Sequence, residues 1–264
     1  MLLLPLPAIE ELNGTELSRK HTRERPWALV LAGGDGRRLQ ALTRKIAGAP
    51  IPKQYCRIMG DRSLLEVTLG RILPLVPRER TLVVVNRSLE LALPQLRDVP
   101  PGNVIVQPGN RDTGPGVVFG LLDLTARRPR APVAVFPSDH YVDDGSSFRE
   151  HVERATFLVD RFPTKIALLG ISPDSPRARI RLHRARPAAR RARSRIAPGV
   201  PGCSLPREAI DRAGEAHLLL VVPVDGVSWS DWGTPEAVEQ TLAALQLQGA
   251  DRHLANSARM QSAE

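Results

Sequence analysis

Apolar runs alternate with amphipathic stretches along this chain. "WALVLA" (27–32), "TLVVVN" (81–86) and "APVAVFP" (131–137) are nearly continuous apolar runs, which is typical of strands buried on both faces. Stretches with helical periodicity lie among them, at 63–75 and 113–128. The pattern predicts an α/β fold with a mainly parallel sheet and helices on both faces.

The same reasoning places the remaining elements. Ser63 and Glu66 have the spacing of a capping box at the start of the first helix. Further helices are predicted at 87–96, 147–159 and 234–247. Further strands are predicted at 103–106, 165–170 and 216–222.

Domain boundaries follow from where this periodicity is lost. Between 171 and 215, Arg, Pro and Ala replace the periodic pattern. We therefore expect one domain over 27–247 that contains this atypical segment. An N-terminal extension (1–26) would precede it and a C-terminal tail (248–264) would follow.

Composition narrows the class of protein. Apolar residues make up 42% and aromatic residues 4% of the 264 residues, so the core must consist mostly of Leu, Val, Ile and Ala. Cys56 and Cys203 have no metal-binding spacing, and we expect a reducing, cytoplasmic location. "MLLLPLP" lacks a basic region and contains two prolines, so we expect no signal peptide. No apolar run is long enough to span a membrane, and we expect no membrane partner.

The net charge of +9 comes from one segment. Residues 177–195 hold nine arginines and no acidic residue; without them, 28 basic residues face 28 acidic ones. A nucleic-acid tether is one interpretation, and a solvated segment that adds little to the core is the one we favour. We therefore expect no nucleic-acid partner, and leave a homo-oligomer open.

A glycine-rich loop follows the first predicted strand. Gly33, Gly34 and Gly36 leave the backbone bare enough to approach a ligand, although a plain tight turn has the same composition. The spacing is neither G-x-G-x-x-G nor a Walker A loop. Arg37 and Arg38 follow at once and could grip phosphate oxygens, with Lys53 as a further cation. The loop is a candidate phosphate site.

Carboxylates and polar side chains follow other predicted strands. Asp139, in "FPSDH" (136–140), could hold Mg²⁺ at the edge of the sheet, or cap a turn. Asp231, in "WSDWGTP" (229–235), could share that ion. "VQPGNRDTGPG" (106–116) offers polar groups for a base or ribose.

Taken in order, these four stretches resemble the sugar-nucleotide pyrophosphorylase (nucleotidyltransferase) family, most closely its mannose-1-phosphate guanylyltransferases. The resemblance covers about residues 27–171 and 216–247. It implies a Rossmann-like nucleotidyltransferase fold. It also implies transfer of a nucleotide from a triphosphate, GTP by preference, to a sugar 1-phosphate such as mannose 1-phosphate, with release of pyrophosphate.

The resemblance also implies roles for individual residues. Arg38, Lys53 and Asp139 would be catalytic, and Asp139 and Asp231 would hold Mg²⁺. The nucleotide would be bound by Leu31, Ala32, Gly33, Gly34, Gly36, Arg37, Arg38, Gln107, Asn110, Thr113 and Ser138.

Some family features are missing. Arg37 stands where the family usually has a small hydroxyl residue. Residues 171–228 contain none of the family's sugar-site motifs, which are Gly-Tyr-Gly, Glu-Lys-Pro and Asn-Ser-Gly. Two alternatives therefore stay open, a nucleotide-binding relative without activity and a nucleic-acid-associated protein that uses the arginine run.

Overall fold

The computed structural model describes residues 25–110, 112–171 and 218–246 of the chain. The N-terminal extension, the arginine run and the C-terminal tail expected from the sequence lie outside these residues. No helix in the described ranges is both long and apolar enough to cross a lipid bilayer.

The central sheet has four parallel strands in the order β3-β2-β1-β4. Leu29 pairs with Leu82 on one side and with Val135 on the other, so β1 lies inside the sheet. The strands are β1 (Trp27–Ala32), β2 (Thr81–Val85), β3 (Val104–Val106) and β4 (Val133–Pro137). The prediction of a mainly parallel sheet is confirmed.

Helices cover both faces of this sheet. Their bounds are α1 (Gln40–Ala47), α2 (Leu64–Ile72), α3 (Leu89–Ala92), α4 (Thr113–Arg127) and α5 (Gly145–Arg161), followed by α6 at residues 235–246. Alternate residues of β1 point to opposite faces. Ala28 and Val30 pack in a core with α2 and α5, whereas Leu29 packs with Leu124 of α4 on the other face.

Two small sheets complete the described fold. Strands β6 (Ile166–Ile171) and β7 (Leu219–Val224) pair in parallel. Strands β5 (Tyr141–Val142) and β8 (Trp229–Ser230) pair antiparallel, with Tyr141 opposite Ser230. The short pair joins the segment after β4 to the segment that carries Asp231.

Local signals in the sequence account for several element ends. The capping box is present at α2: the Ser63 hydroxyl accepts from the Glu66 amide, and the Glu66 carboxylate accepts from the Ser63 amide. The Thr234 hydroxyl accepts from the Ala237 amide at the start of α6. The helix predicted at 87–96 is divided: α3 ends at Ala92, and Leu93–Gln95 is a 3₁₀ turn that contains Pro94.

Candidate functional site

A cavity of about 440 Å³ lies beyond the carboxyl ends of the central strands. Open parallel sheets bind their ligands at this edge. The residues that line the cavity come from four segments of the chain, and three of them are cationic and two anionic. The lining residues are Asp35, Gly36, Arg37, Arg38, Leu39, Lys53, Asn110, Asp112, Trp232 and Gly233.

The loop after β1 needs glycine for two reasons. Gly36 has a φ of +62°, which residues with a side chain rarely adopt. A Cβ there would lie 2.9 Å from the backbone nitrogen of Lys53 and from Pro52 Cα. A Cβ at Gly33 would collide with the Gln107 amide group. The loop is thus held against Pro52 and Lys53 on one side and Gln107 on another.

The carbonyl groups of this loop are bound by buried side chains. Gln54 Nε2 donates to the carbonyls of Ala32 (3.0 Å) and Gly34 (2.7 Å), and the Tyr55 hydroxyl also donates to Ala32 (2.8 Å). Ser138 Oγ donates to the Leu31 carbonyl at 2.7 Å. Ser138 is buried, and its hydrogen bond stabilises the end of β1.

Lys53 connects the two carboxylate segments. Its side chain is only 10% exposed, and Nζ lies 3.2 Å from Asp139 Oδ2. Nζ also donates to the backbone carbonyls of Asp231 and, at 3.1 Å, Trp232. These three oxygens match the three donors of an ammonium group. Trp232 has a φ of +45°, unusual for a bulky residue, at the position where its carbonyl meets Lys53.

The β5–β8 ladder places the two aspartates near each other in the fold. Asp139 precedes β5 and Asp231 follows β8, so both residues stand at the same end of that two-residue ladder. The oxygens around Lys53 Nζ come from both segments, so this position already accommodates a positive charge. Carboxylate and carbonyl oxygens are the ligands that Mg²⁺ prefers, and it takes its remaining ligands from water and phosphate. The donor set therefore fits Mg²⁺, although the described residues contain no group of three or more His, Cys, Asp or Glu suited to a metal.

His140 contacts Asp139 from the other side. Burial lowers the pKa of His140, and the nearby Asp139 carboxylate only partly offsets this. The imidazole is therefore neutral at pH 7. Trp229 Nε1 donates to Nδ1 (3.2 Å), which leaves the proton on Nε2, 3.7 Å from Asp139 Oδ1.

The polar loop after β3 lies on the opposite side of the cavity. Gln107 is buried beside Gly33 and Gly116, and Asn110 lines the cavity. The Asn110 side chain accepts from the Asp112 amide at 3.0 Å, and Asp112 has a φ of +66°. Thr113 is the first residue of α4, whereas Arg111 lies outside the described ranges.

Sequence reasoning missed several residues at this site. Gln54, Asp35 and Asp112 were not singled out, although Gln54 stands beside Lys53, Asp35 lies between Gly34 and Gly36, and Asp112 lies in the loop after β3. The sequence around Gln54 has no periodicity that would indicate a buried amide. Its two partners are 20 and 22 residues away along the chain.

Comparison with known proteins gives a family match. The model of the family described as "Nucleotidyl transferase" matches residues 27–177, more than half of the chain. The chain is 32% identical over 152 residues to "Mannose-1-phosphate guanylyltransferase 2" of Escherichia coli O157:H7. That alignment covers 56% of this chain and 30% of the relative. The aligned part thus spans about a third of the curated relatives it matches.

Solved structures match the fold. The inositol-1-phosphate CTP transferase of T. maritima aligns with a TM-score of 0.51 at 16% identity, covering 81% of this chain and 91% of that one. A putative glucose-1-phosphate thymidylyltransferase of Bacillus anthracis aligns with a TM-score of 0.52 at 15% identity, covering 83% and 94%. At these identities the match concerns the fold alone, and it confirms the predicted fold class.

Proposed function

Because the chain belongs to the nucleotidyl transferase family, we propose that it transfers a nucleotide from a nucleoside triphosphate to a sugar 1-phosphate and releases pyrophosphate. We propose GTP and mannose 1-phosphate as the substrates. This choice rests on the motif resemblance and on relatives such as the E. coli O157:H7 guanylyltransferase.

The order of charges along the sheet edge carries the proposal. Amide groups of Gln107 and Asn110 lie on the β3 side, and Arg37 and Arg38 follow the central strand β1. Asp139 follows β4 at the other edge of the central sheet. A bound nucleotide has the same order of groups, with a base and ribose, then phosphates, then a metal ion. This edge of the sheet therefore suits a triphosphate whose base lies toward β3.

The arginines after β1 and Lys53 have separate roles in the proposed reaction. A phosphate oxygen of the sugar phosphate attacks the α-phosphorus, and the bond to the bridging oxygen breaks as pyrophosphate leaves. The attacking group is already anionic, so no general base is needed. Catalysis consists of alignment and of charge stabilisation by Arg37 and Arg38 in a preorganised site. Lys53 holds the segments of Asp139 and Asp231 together.

We propose Mg²⁺ as the cofactor, held by the carboxylates of Asp139 and Asp231. When bound, the ion would offset the negative charge of the triphosphate and of the departing pyrophosphate.

The test is pyrophosphate release from GTP and mannose 1-phosphate in the presence of Mg²⁺. Because residues 171–228 lack the family's sugar-site motifs, we expect turnover below the usual enzyme range of about 1–1,000 per second, with a further strong loss in R38A. R128A, on an exposed residue beyond the end of α4, is the matched control. Replacing each substrate in turn by ATP, CTP, dTTP or glucose 1-phosphate would show whether the substrate pair is right. Absence of pyrophosphate with every pair contradicts the proposal of transfer activity.

A second candidate is a nucleotide-binding relative without transfer activity. It is favoured by one observation, the absence of the family's sugar-site motifs from residues 171–228. Calorimetry separates the two candidates, since this one predicts Mg²⁺-dependent GTP binding and no pyrophosphate release.

A further inference from the structure

We infer that Gln54 is a positioning residue that orients the loop after β1 for the triphosphate. The inference rests on the proposed function, because it names a residue that prepares the same site. Gln54 does not line the cavity. It acts through the backbone of residues 32–35.

The argument begins with the two hydrogen bonds of one amide group. Gln54 Nε2 has two N–H bonds, and its two partners are the carbonyls of Ala32 and Gly34. Both carbonyls are therefore drawn toward the same side of the loop. The residue between them, Gly33, has no side chain, so the backbone can follow this arrangement without a clash with Gln107.

The direction of the amide groups follows from peptide geometry. The peptide bonds of the described residues are all trans, and in a trans peptide the C=O of one residue and the N–H of the next point in opposite directions. With the carbonyls of Ala32 and Gly34 turned toward Gln54, the N–H groups of Gly33 and Asp35 point away from it. Asp35 lines the cavity. The Asp35 N–H is thereby presented toward the cavity, where a backbone donor can bind a phosphate oxygen.

Burial makes Gln54 hard to replace. The residue is 2% exposed, so water cannot readily take over its two hydrogen bonds. The Tyr55 hydroxyl also binds the Ala32 carbonyl, whereas Asn86 holds the residue after Gly34 only through the Asp35 carboxylate and not through the backbone. Loss of the Gln54 amide would therefore release the Gly34 carbonyl more than the Ala32 carbonyl. The Gly34 carbonyl belongs to the same peptide group as the Asp35 N–H, so that N–H would be released as well.

The experiment compares Q54L and Q54E with Y55F and Q95L. Gln95 is a matched control, because its amide also donates to a backbone carbonyl, that of Tyr55 at 3.3 Å, without touching the loop. The probes are Mg²⁺–GTP and inorganic tripolyphosphate, measured by calorimetry, with thermal unfolding recorded for every variant. Q54L removes both donors, and Q54E keeps the shape while placing oxygen against oxygen.

We expect both Gln54 variants to bind GTP and tripolyphosphate at least about tenfold more weakly, in line with the loss caused by small misplacements in a site. Y55F should lose less, and Q95L should bind like the wild type. The KM for GTP should rise in Q54L while the KM for the sugar phosphate stays unchanged. A purely structural role predicts a lower melting temperature with unchanged affinity of the folded protein.

Three outcomes are informative. Equal affinity of wild type and both Gln54 variants overturns the inference and leaves the proposed function intact. Weaker binding by Q95L to the same degree shows a general effect of losing a side-chain amide and also overturns it. If the wild type binds neither probe, the proposed function itself is wrong. Should Q54L fail to fold, Q54E and Q54N, whose shorter amide cannot reach both carbonyls, give the answer.

Discussion

At the scale of the residue, two glycines of one loop should respond very differently to the same change. Gly36 combines a positive φ with backbone contacts of 2.9 Å around its missing Cβ, whereas Gly34 has open space there. We expect G36A to lower the free energy of unfolding by about 1–3 kcal/mol. G34A should change it by less than about 0.5 kcal/mol. Urea unfolding measures both, and equal effects would contradict this account of the loop.

A second residue-scale prediction concerns alkaline pH. Burial raises the pKa of Tyr55 to about 12, whereas in the unfolded chain the phenol ionises near its usual value of 10. The contribution of neutral Tyr55 is therefore complete below pH 10 and is lost as the pH rises toward 12, about 2–3 kcal/mol in total. The difference in unfolding free energy between wild type and Y55F should shrink by that amount over this window. A constant difference would show that Tyr55 is not shielded from water.

At the scale of the element, the starts of α2 and α3 form a matched pair, because each helix begins after a serine. Ser63 caps α2 through its side chain, whereas Ser88 at the start of α3 makes no such bond. We expect S63A to lower the free energy of unfolding by about 1 kcal/mol or more, since Ser63 is buried and also donates to Gln95. S88A should have little effect. Urea unfolding of both variants tests the comparison, and a larger loss in S88A would contradict it.

Elements that are buried on both faces were predictable from sequence. β1, β2 and β4 are continuous apolar runs, and the structure begins or ends each within two residues of its predicted bounds. Some shorter elements were not predictable in this way. α1 was missed, and so was the pair β5–β8, because two paired residues have no periodicity of their own and depend on Tyr141 meeting Ser230 after a long excursion of the chain.

The site was predictable only in part, for a related reason. The glycines, Arg37, Arg38 and Asp139 stand directly after predicted strands, and a parallel sheet gathers such positions at one edge. Gln54 acts across 20 residues, and the contact of Lys53 with Asp231 spans 178. No local pattern encodes contacts of that kind.

At the scale of the whole molecule, the two proposed metal ligands lie far apart in sequence, and both are needed if they share one ion. We expect D139N and D231N each to weaken Mg²⁺-dependent GTP binding at least about tenfold, because each variant removes a carboxylate that would bind the ion. D225N, on an exposed residue of the same C-terminal part, should bind like the wild type. Calorimetry at several Mg²⁺ concentrations measures this. Unchanged Mg²⁺ dependence in both variants would rule out the shared site.

The placement of Trp232 gives the protein a built-in optical reporter. Its indole is buried and stacked on Tyr141 at 5.6 Å, and the residue lines the cavity. Trp27 stands at the start of β1, six residues before the glycine loop and at the far end of the strand. Of the three tryptophans, Trp232 should therefore sense an arriving nucleotide and Trp27 should not. GTP should change the intrinsic emission of W27F as it does that of the wild type, and less that of W232F, which keeps Trp229 beside His140, so occupancy can be followed without a label.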